Sequence, residues 1–200
     1  GVVLERFKLK TYSLKPNPLL VTTSRLVKKN GIDILIAAMS FLPTNVRLQI
    51  IGIGPEEENL KLKTKSQKLN DRVDFVGALP PAAIAAALGQ ADLFARPSRS
   101  EGLGNSFLEA MAAGLPVVGT PVGGIPDFLV DGKTGWFCRV NDPADLAQKI
   151  KFILDPANQA LVKQVIQQAA DLVREKYDWR KITGQYATVF SGLLKRAHVN

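Results

Sequence analysis

Two hundred residues, 46% of them hydrophobic, suit one domain with a sizeable core. The formal charge of +8 favours anionic partners: nucleotides, nucleic acid or an acidic membrane surface. One cysteine, Cys138, excludes a disulfide framework and fits a reducing compartment as a buried structural thiol, and the one histidine, His198 in the tail, leaves no histidine base or His-rich metal site.

Residues 1–18 have neither helical nor strand periodicity and read as a linker, with no signal-peptide pattern. Leu19–Thr23 is a first strand. The turn from Ser24 to Gly31 is basic, with Arg25, Lys28 and Lys29, and opens a helix with Ile32, Leu35, Ile36 and Met39 on one face. Val46–Ile51 is a second strand, ending in Gly52-Ile53-Gly54-Pro55. A dinucleotide fingerprint would need a third glycine where Glu57 stands. On the next helix Lys61, Lys65 and Lys68 share a face beside Lys63. That face is either solvated or a docking surface for an anionic membrane or lipid-linked acceptor. Val73–Gly77 is a third strand, Pro80-Pro81 opens the helix Ala82–Leu88, and Asp92–Arg96 is a fourth strand.

The stretch from Ser98 to Gly124 is the one around which the chain is organised. Glu101 precedes the turn Gly102-Leu103-Gly104. A helix pattern follows, with Phe107, Leu108, Met111 and Ala112 apolar, then the short strand Leu115–Gly119 and a second turn at Gly123-Gly124. A bare turn opening into a helix presents free N–H groups at the positive end of the helix dipole, a site for phosphate. The carboxylates of Glu101 and Glu109 suit hydroxyls instead, so the pattern suggests a sugar nucleotide. Plainer readings stand beside it: Ser106-x-x-Glu109 spells a capping box, and Glu101 suits an ordinary solvated loop.

Asp131–Gly135 ends like a phosphate loop, but Asp127 stands where that motif needs glycine, so it is a turn. Gly135–Val140 is a sixth strand. Helices follow over Asp145–Leu154, Ala157–Tyr177 and Trp179–Arg196, the last with Ile182, Tyr186, Val189, Phe190, Leu193 and Leu194 as an apolar stripe. The uncharged stretch Ala110–Pro126 holds four glycines and three prolines and cannot be a spanning helix. Strands alternating with helices predict a Rossmann-like three-layer α/β/α fold on a six-stranded parallel sheet, with ligands at the carboxyl ends of the strands.

The spacing of Glu101 and Glu109, the glycines between them and the LEAMAAGLPVV run together resemble the donor-binding half of retaining glycosyltransferases of GT-B fold, in family 4 (glycosyl transferases group 1). The resemblance covers nearly the whole chain. It implies transfer of a hexosyl group, with retention, from a nucleoside-diphosphate sugar, UDP- or GDP-linked. Glu101, Arg25 and Lys29 would serve the chemistry. Glu101 and the backbone of Leu103, Gly104 and Asn105 would hold the sugar, Ser106 the diphosphate, and Glu109 the ribose. Val76, Gly77 and Leu79 would meet the base, with Gly52 and Gly54 admitting the ligand.

The family places a lysine just before the glycine that starts the first helix; here that residue is Asn30, with Lys29 one position away. A non-catalytic nucleotide-sugar-binding module therefore remains an alternative. The chain holds no D-x-D pair, and neither metal nor cofactor is expected. The resemblance divides the chain into an interdomain linker (1–18), a donor-binding domain (19–177) and a C-terminal helix (178–200) that packs toward an absent N-terminal domain, leaving this half inactive alone. The other expected partner is a saccharide or lipid-linked acceptor, met in the cytoplasm or at the inner face of the membrane. Nucleic acid is not expected, because no aromatic interleaves the lysine helix.

Overall fold

The computed structural model describes the backbone of residues 1–197 and the side chains of 1–191; His198 lies outside the described residues, as do the side chains of Leu193 and Leu194. Six parallel strands form one sheet: β1 (Leu19–Thr23), β2 (Arg47–Ile51), β3 (Val73–Gly77), β4 (Leu93–Arg96), β5 (Val117–Gly119) and β6 (Trp136–Phe137). Their order is β3-β2-β1-β4-β5-β6, the Rossmann order, in which the chain changes direction across the sheet between β1 and β4.

Neighbouring residues of a strand point to opposite faces, and two separate cores show it. Leu20, Leu48, Ile50 and Val118 face α1 (Ile32–Met39), α2 (Glu57–Ser66) and α5 (Pro143–Leu154). Val21, Ile51, Phe94 and Val117 face α3 (Pro81–Gln90) and α4 (Asn105–Ala112). Both faces are thus covered by helices, as parallel sheets require.

The expected elements differ at two places. The sixth strand is only two residues long: Cys138 N–H still reaches the Gly119 carbonyl, but Arg139 N–H turns to the Asp145 carboxylate at 2.7 Å and the ladder ends. The predicted helix 157–177 divides into a short 3-10 turn, α6 (Gln159–Leu172) and a π-helical turn, Val173–Tyr177. Residues 1–18 lie against the domain. Val2 donates to the Tyr177 carbonyl at 2.8 Å and accepts from Trp179 at 2.9 Å, and Tyr12 is buried. Buried Asp92 fastens the start of β1, accepting from Leu19 N–H at 2.8 Å and pairing with Lys15 at 3.1 Å.

The final helix, α7 (Trp179–Ala197), leaves Trp179, Tyr186, Val189 and Phe190 exposed, with the last three each near 60%. Tyr186 and Phe190 stack, their centroids 6.4 Å apart. Among the described residues no helix is long and apolar enough to cross a membrane.

Candidate functional site

Two adjoining cavities of about 550 Å³ each lie at the carboxyl ends of the strands, and Arg25 lines both. One is walled by the ends of β1 and β2 and by α3, with Thr23, Ser24, Gly52, Gly54, Leu79 and Ile84. The other lies between the β1–α1 turn and the loop after β4, with Lys28, Lys29, Asn30, Arg96 and Glu101. Together they occupy the β1/β4 crevice, where open α/β sheets bind ligands.

The β1–α1 turn is held by its own polar groups. Asn30 is buried and donates from Nδ2 to the Arg25 carbonyl at 2.6 Å, so the residue at the family's lysine position serves the turn, whose exposed cations are Arg25, Lys28 and Lys29. From the opposite loop Arg99 bonds the Lys28 carbonyl at 2.6 Å and both Asp33 oxygens at 2.7–2.8 Å. Its N–H reaches the Lys29 carbonyl at 2.7 Å. Burial alone would raise the Asp33 carboxyl, but the hydrogen bonds and charge of Arg99, with the Lys63 charge and a backbone hydrogen bond, together hold the group below its usual value.

Opposite the turn, Gly104 in the left-handed conformation (φ 75°) caps α4, which starts at Asn105. Ser106 is therefore inside the helix, and no capping box forms. Its hydroxyl instead accepts from Arg96 Nη1 at 2.6 Å. Leu103 and Asn105 are exposed on this rim beside Gly104. Glu101 pairs with Arg96 Nη2 through one oxygen and accepts from Gly102 N–H at 3.0 Å through the other. Gly124 N–H bonds the Gly102 carbonyl at 2.9 Å, and a Cβ on Gly123 (φ +56°) would fall 1.8 Å from the Glu101 carbonyl oxygen. The second glycine turn thus sets the backbone of the first. Burial pushes the Glu109 carboxyl up from its usual value, against the pull of Arg6 and Arg96.

On the other side of Arg25, a Cβ on Gly52 (φ +136°) would meet the Ser24 carbonyl at 1.9 Å, and one on Gly54 the Leu26 carbonyl at 2.3 Å. These glycines let the β2–α2 loop lie on the β1–α1 turn as well as lining the cavity. Gly52 N–H bonds the Gly77 carbonyl at 2.8 Å. Leu79 lines the cavity, while Val76 and Gly77 lie just before that wall at the end of β3. The hydroxyls of Thr23 and Ser24 are buried there with no hydrogen-bond partner among the described residues.

Sequence reasoning missed Arg96, which it took as the end of a strand. The residue is 5% exposed, its guanidinium carbon lies 4.8 Å from the centroid of the Phe107 ring, and burial pulls its pKa down while Glu101 and Glu109 hold it up. The signal was present: an arginine directly after the apolar run Leu93–Ala95 of a buried strand needs a buried counter-ion, and Glu101 follows five residues on.

The remaining motifs lie elsewhere. Asp131–Gly135 is a turn closed by Gly132 N–H to the Gly135 carbonyl at 2.8 Å. On α2 Lys61 pairs with Glu57 at 2.8 Å and Glu58 at 3.2 Å, and Lys68 lies beyond the helix end. Cys138 is buried, and burial, with Asp145 close by, pushes its thiol up to about 12. Among the described residues no three His, Cys, Asp or Glu side chains gather into a metal-binding group.

Residues 5–172 match the family described as glycosyl transferases group 1. The chain is 35% identical over 192 residues to a sulfoquinovosyl transferase of Arabidopsis thaliana, covering 91% of this chain and 36% of that protein. Among solved structures it superposes on sucrose-phosphate synthase of Thermosynechococcus elongatus with a TM-score of 0.87 and 26% identity, over 98% of this chain and 52% of that one. Anabaena HepE, solved in complex with UDP and glucose, superposes with a TM-score of 0.82 and 25% identity, over 88% and 49% of the two chains. The chain thus spans about half or less of the length of each of these three proteins.

Proposed function

The chain belongs to the glycosyl transferases group 1 family, and from that premise we propose that it is the donor-binding half of a retaining family 4 enzyme. It takes a hexosyl group from a nucleoside-diphosphate sugar without a metal. The observation that carries this reading is the pair of cavities joined at Arg25. One has largely apolar walls suited to a nucleoside base, and the other sets Arg25, Lys28 and Lys29 across from Glu101.

Breaking the bond from sugar to diphosphate leaves negative charge on the departing group. Arg25 and Lys29, with Lys28 beside them, meet that charge. A charged hydrogen bond is worth about 1.5–3 kcal/mol, against ~0.3–1 kcal/mol for an exposed helix terminus. The side chains therefore dominate, and the α4 amides orient the diphosphate near Ser106. Glu101 accepts from sugar hydroxyls, and Glu109 from the ribose.

A thermal-shift series with UDP, GDP and ADP tests this. Ligand at 100 times Kd stabilises by about 2.7 kcal/mol, or roughly 5–11 °C for a domain of this size. No shift with any of the three would overturn the reading.

The acceptor, a saccharide or lipid-linked glycan, meets the donor in a cleft completed by an N-terminal domain. This half alone binds donor without transferring it, because acceptor positioning and exclusion of water need both walls. The enzyme works in the cytoplasm or at the inner face of a membrane. A non-catalytic sugar-nucleotide module is the second reading, favoured by the engagement of Asn30 with the Arg25 carbonyl. Transfer by the two-domain protein would exclude it.

A further inference from the structure

Arg96 is a charge the fold does not need. It ends a strand whose side chains are all buried, and an apolar residue of similar volume would fill its place without the cost of desolvating a guanidinium. Its bonds all lead into the site. Nη2 pairs with Glu101, and Nη1 donates to Ser106 Oγ at 2.6 Å and to the Thr23 carbonyl at 3.2 Å, while the Phe107 ring forms the floor. With Gly102 N–H on its second oxygen, the Glu101 carboxylate is gripped at both ends. It cannot turn.

Resting on the donor-binding reading above, we propose that Arg96 is a positioning residue. It fixes Glu101 as an ionised acceptor that reads a hydroxyl of the donor sugar, so that recognition of the sugar depends on Arg96. A carboxylate held this way offers only its remaining lone pairs, in fixed directions, and takes only hydroxyl donors. A site built to pair a hydroxyl discriminates strongly against a sugar that lacks it. The charge of the diphosphate is met across the cavity by Arg25, Lys28 and Lys29, so Arg96 and the turn cations divide the ligand between them.

The test uses the whole chain and calorimetry with UDP-glucose, GDP-mannose and ADP-glucose. If the wild type binds none of these, and none of UDP, GDP and ADP, the donor reading itself falls. With the sugar nucleotide that binds, Arg96→Met should weaken affinity about tenfold or more. Affinity for the matching nucleoside diphosphate without its sugar should stay within about twofold of wild type, because the turn cations that meet the diphosphate are untouched.

The other charges facing this pair are Glu109 on α4, Arg6 beside it, and Arg25, Lys28 and Lys29 across the cavity. They are the same in every variant. The double change Arg96→Met with Glu101→Gln should keep the loss of affinity for the sugar nucleotide and bind the nucleoside diphosphate as Arg96→Met does. With both charges removed, it also carries the test should Arg96→Met alone fail to fold. Arg96→Lys, which restores the charge beside Glu101 but not the bridge to Ser106, should recover part of the lost sugar-nucleotide affinity. Wild-type affinity in the double variant, or an equal loss of sugar-nucleotide and nucleoside-diphosphate affinity in Arg96→Met, would overturn the proposal.

Discussion

Gly123→Ala should damage the site from outside it. Gly123 has φ +56°, and an added Cβ would fall 1.8 Å from the backbone oxygen of Glu101. Ordinary C···O contacts are about 3.3–3.6 Å, so the Glu101 peptide must retreat by roughly 1.5 Å. A second cost is the left-handed conformation itself, about 1–2 kcal/mol for a residue with a side chain. Gly132 separates the two effects. It has φ +69° with nothing within 4 Å of its Cβ, and it lies in the turn at the amino end of β6, across the sheet from the strand ends that bear the cavities. Gly132→Ala should lower the melting temperature by about 2–8 °C, the backbone cost alone, and leave ligand binding intact. Gly123→Ala should lower it further and weaken sugar-nucleotide binding about tenfold or more, since a charged hydrogen bond to the sugar is misplaced. Calorimetry and a melting curve on each variant decide the matter. If the two variants match in stability and both bind like wild type, the second turn does not set Glu101.

Two further predictions follow from the same geometry. Arg25 is exposed, so Arg25→Ala should change the melting temperature by no more than about 2 °C while weakening nucleoside-diphosphate affinity about tenfold or more; unchanged affinity would remove Arg25 from the site. Burial holds the Glu109 carboxyl above its usual 4.5, and only its ionised form accepts from two ribose hydroxyls. Preference for ribo- over 2′-deoxyribonucleotide should therefore grow as pH rises through a window above 4.5, the phosphate titration cancelling between the pair. Glu109→Gln should flatten that dependence and lower the preference, and a preference indifferent to both pH and substitution would sink the assignment.

Most of the sheet was legible because the strands are short apolar or alternating runs, most of them bounded by glycine or proline, and the helices repeat at three and four residues. What escaped the sequence depends on partners distant in the chain. β6 stops early because the Asp145 carboxylate captures Arg139 N–H. The docking of residues 1–18 rests on isolated buried positions such as Val2 and Tyr12, which have no period to detect. Within the site, Glu101, Glu109 and the glycines stand out by spacing, while Arg96 hides at the end of a strand pattern. The apparent capping box at Ser106 fails for a local reason: glycine at position 104 takes the left-handed cap, and the helix begins one residue before the serine.

The exposed face of α7 also bears on how the protein behaves in salt solution. Tyr186, Val189 and Phe190 present a narrow apolar strip on a chain of formal charge +8. At low ionic strength, like-charged molecules repel one another over tens of ångströms, and such strips rarely meet. The screening length shrinks from about 30 Å at 0.01 M salt to about 3 Å at 1 M, while apolar attraction between strips persists. Concentrated salt thus removes the barrier without touching the attraction, and the colloidal stability of this chain rests on its surplus of lysine and arginine.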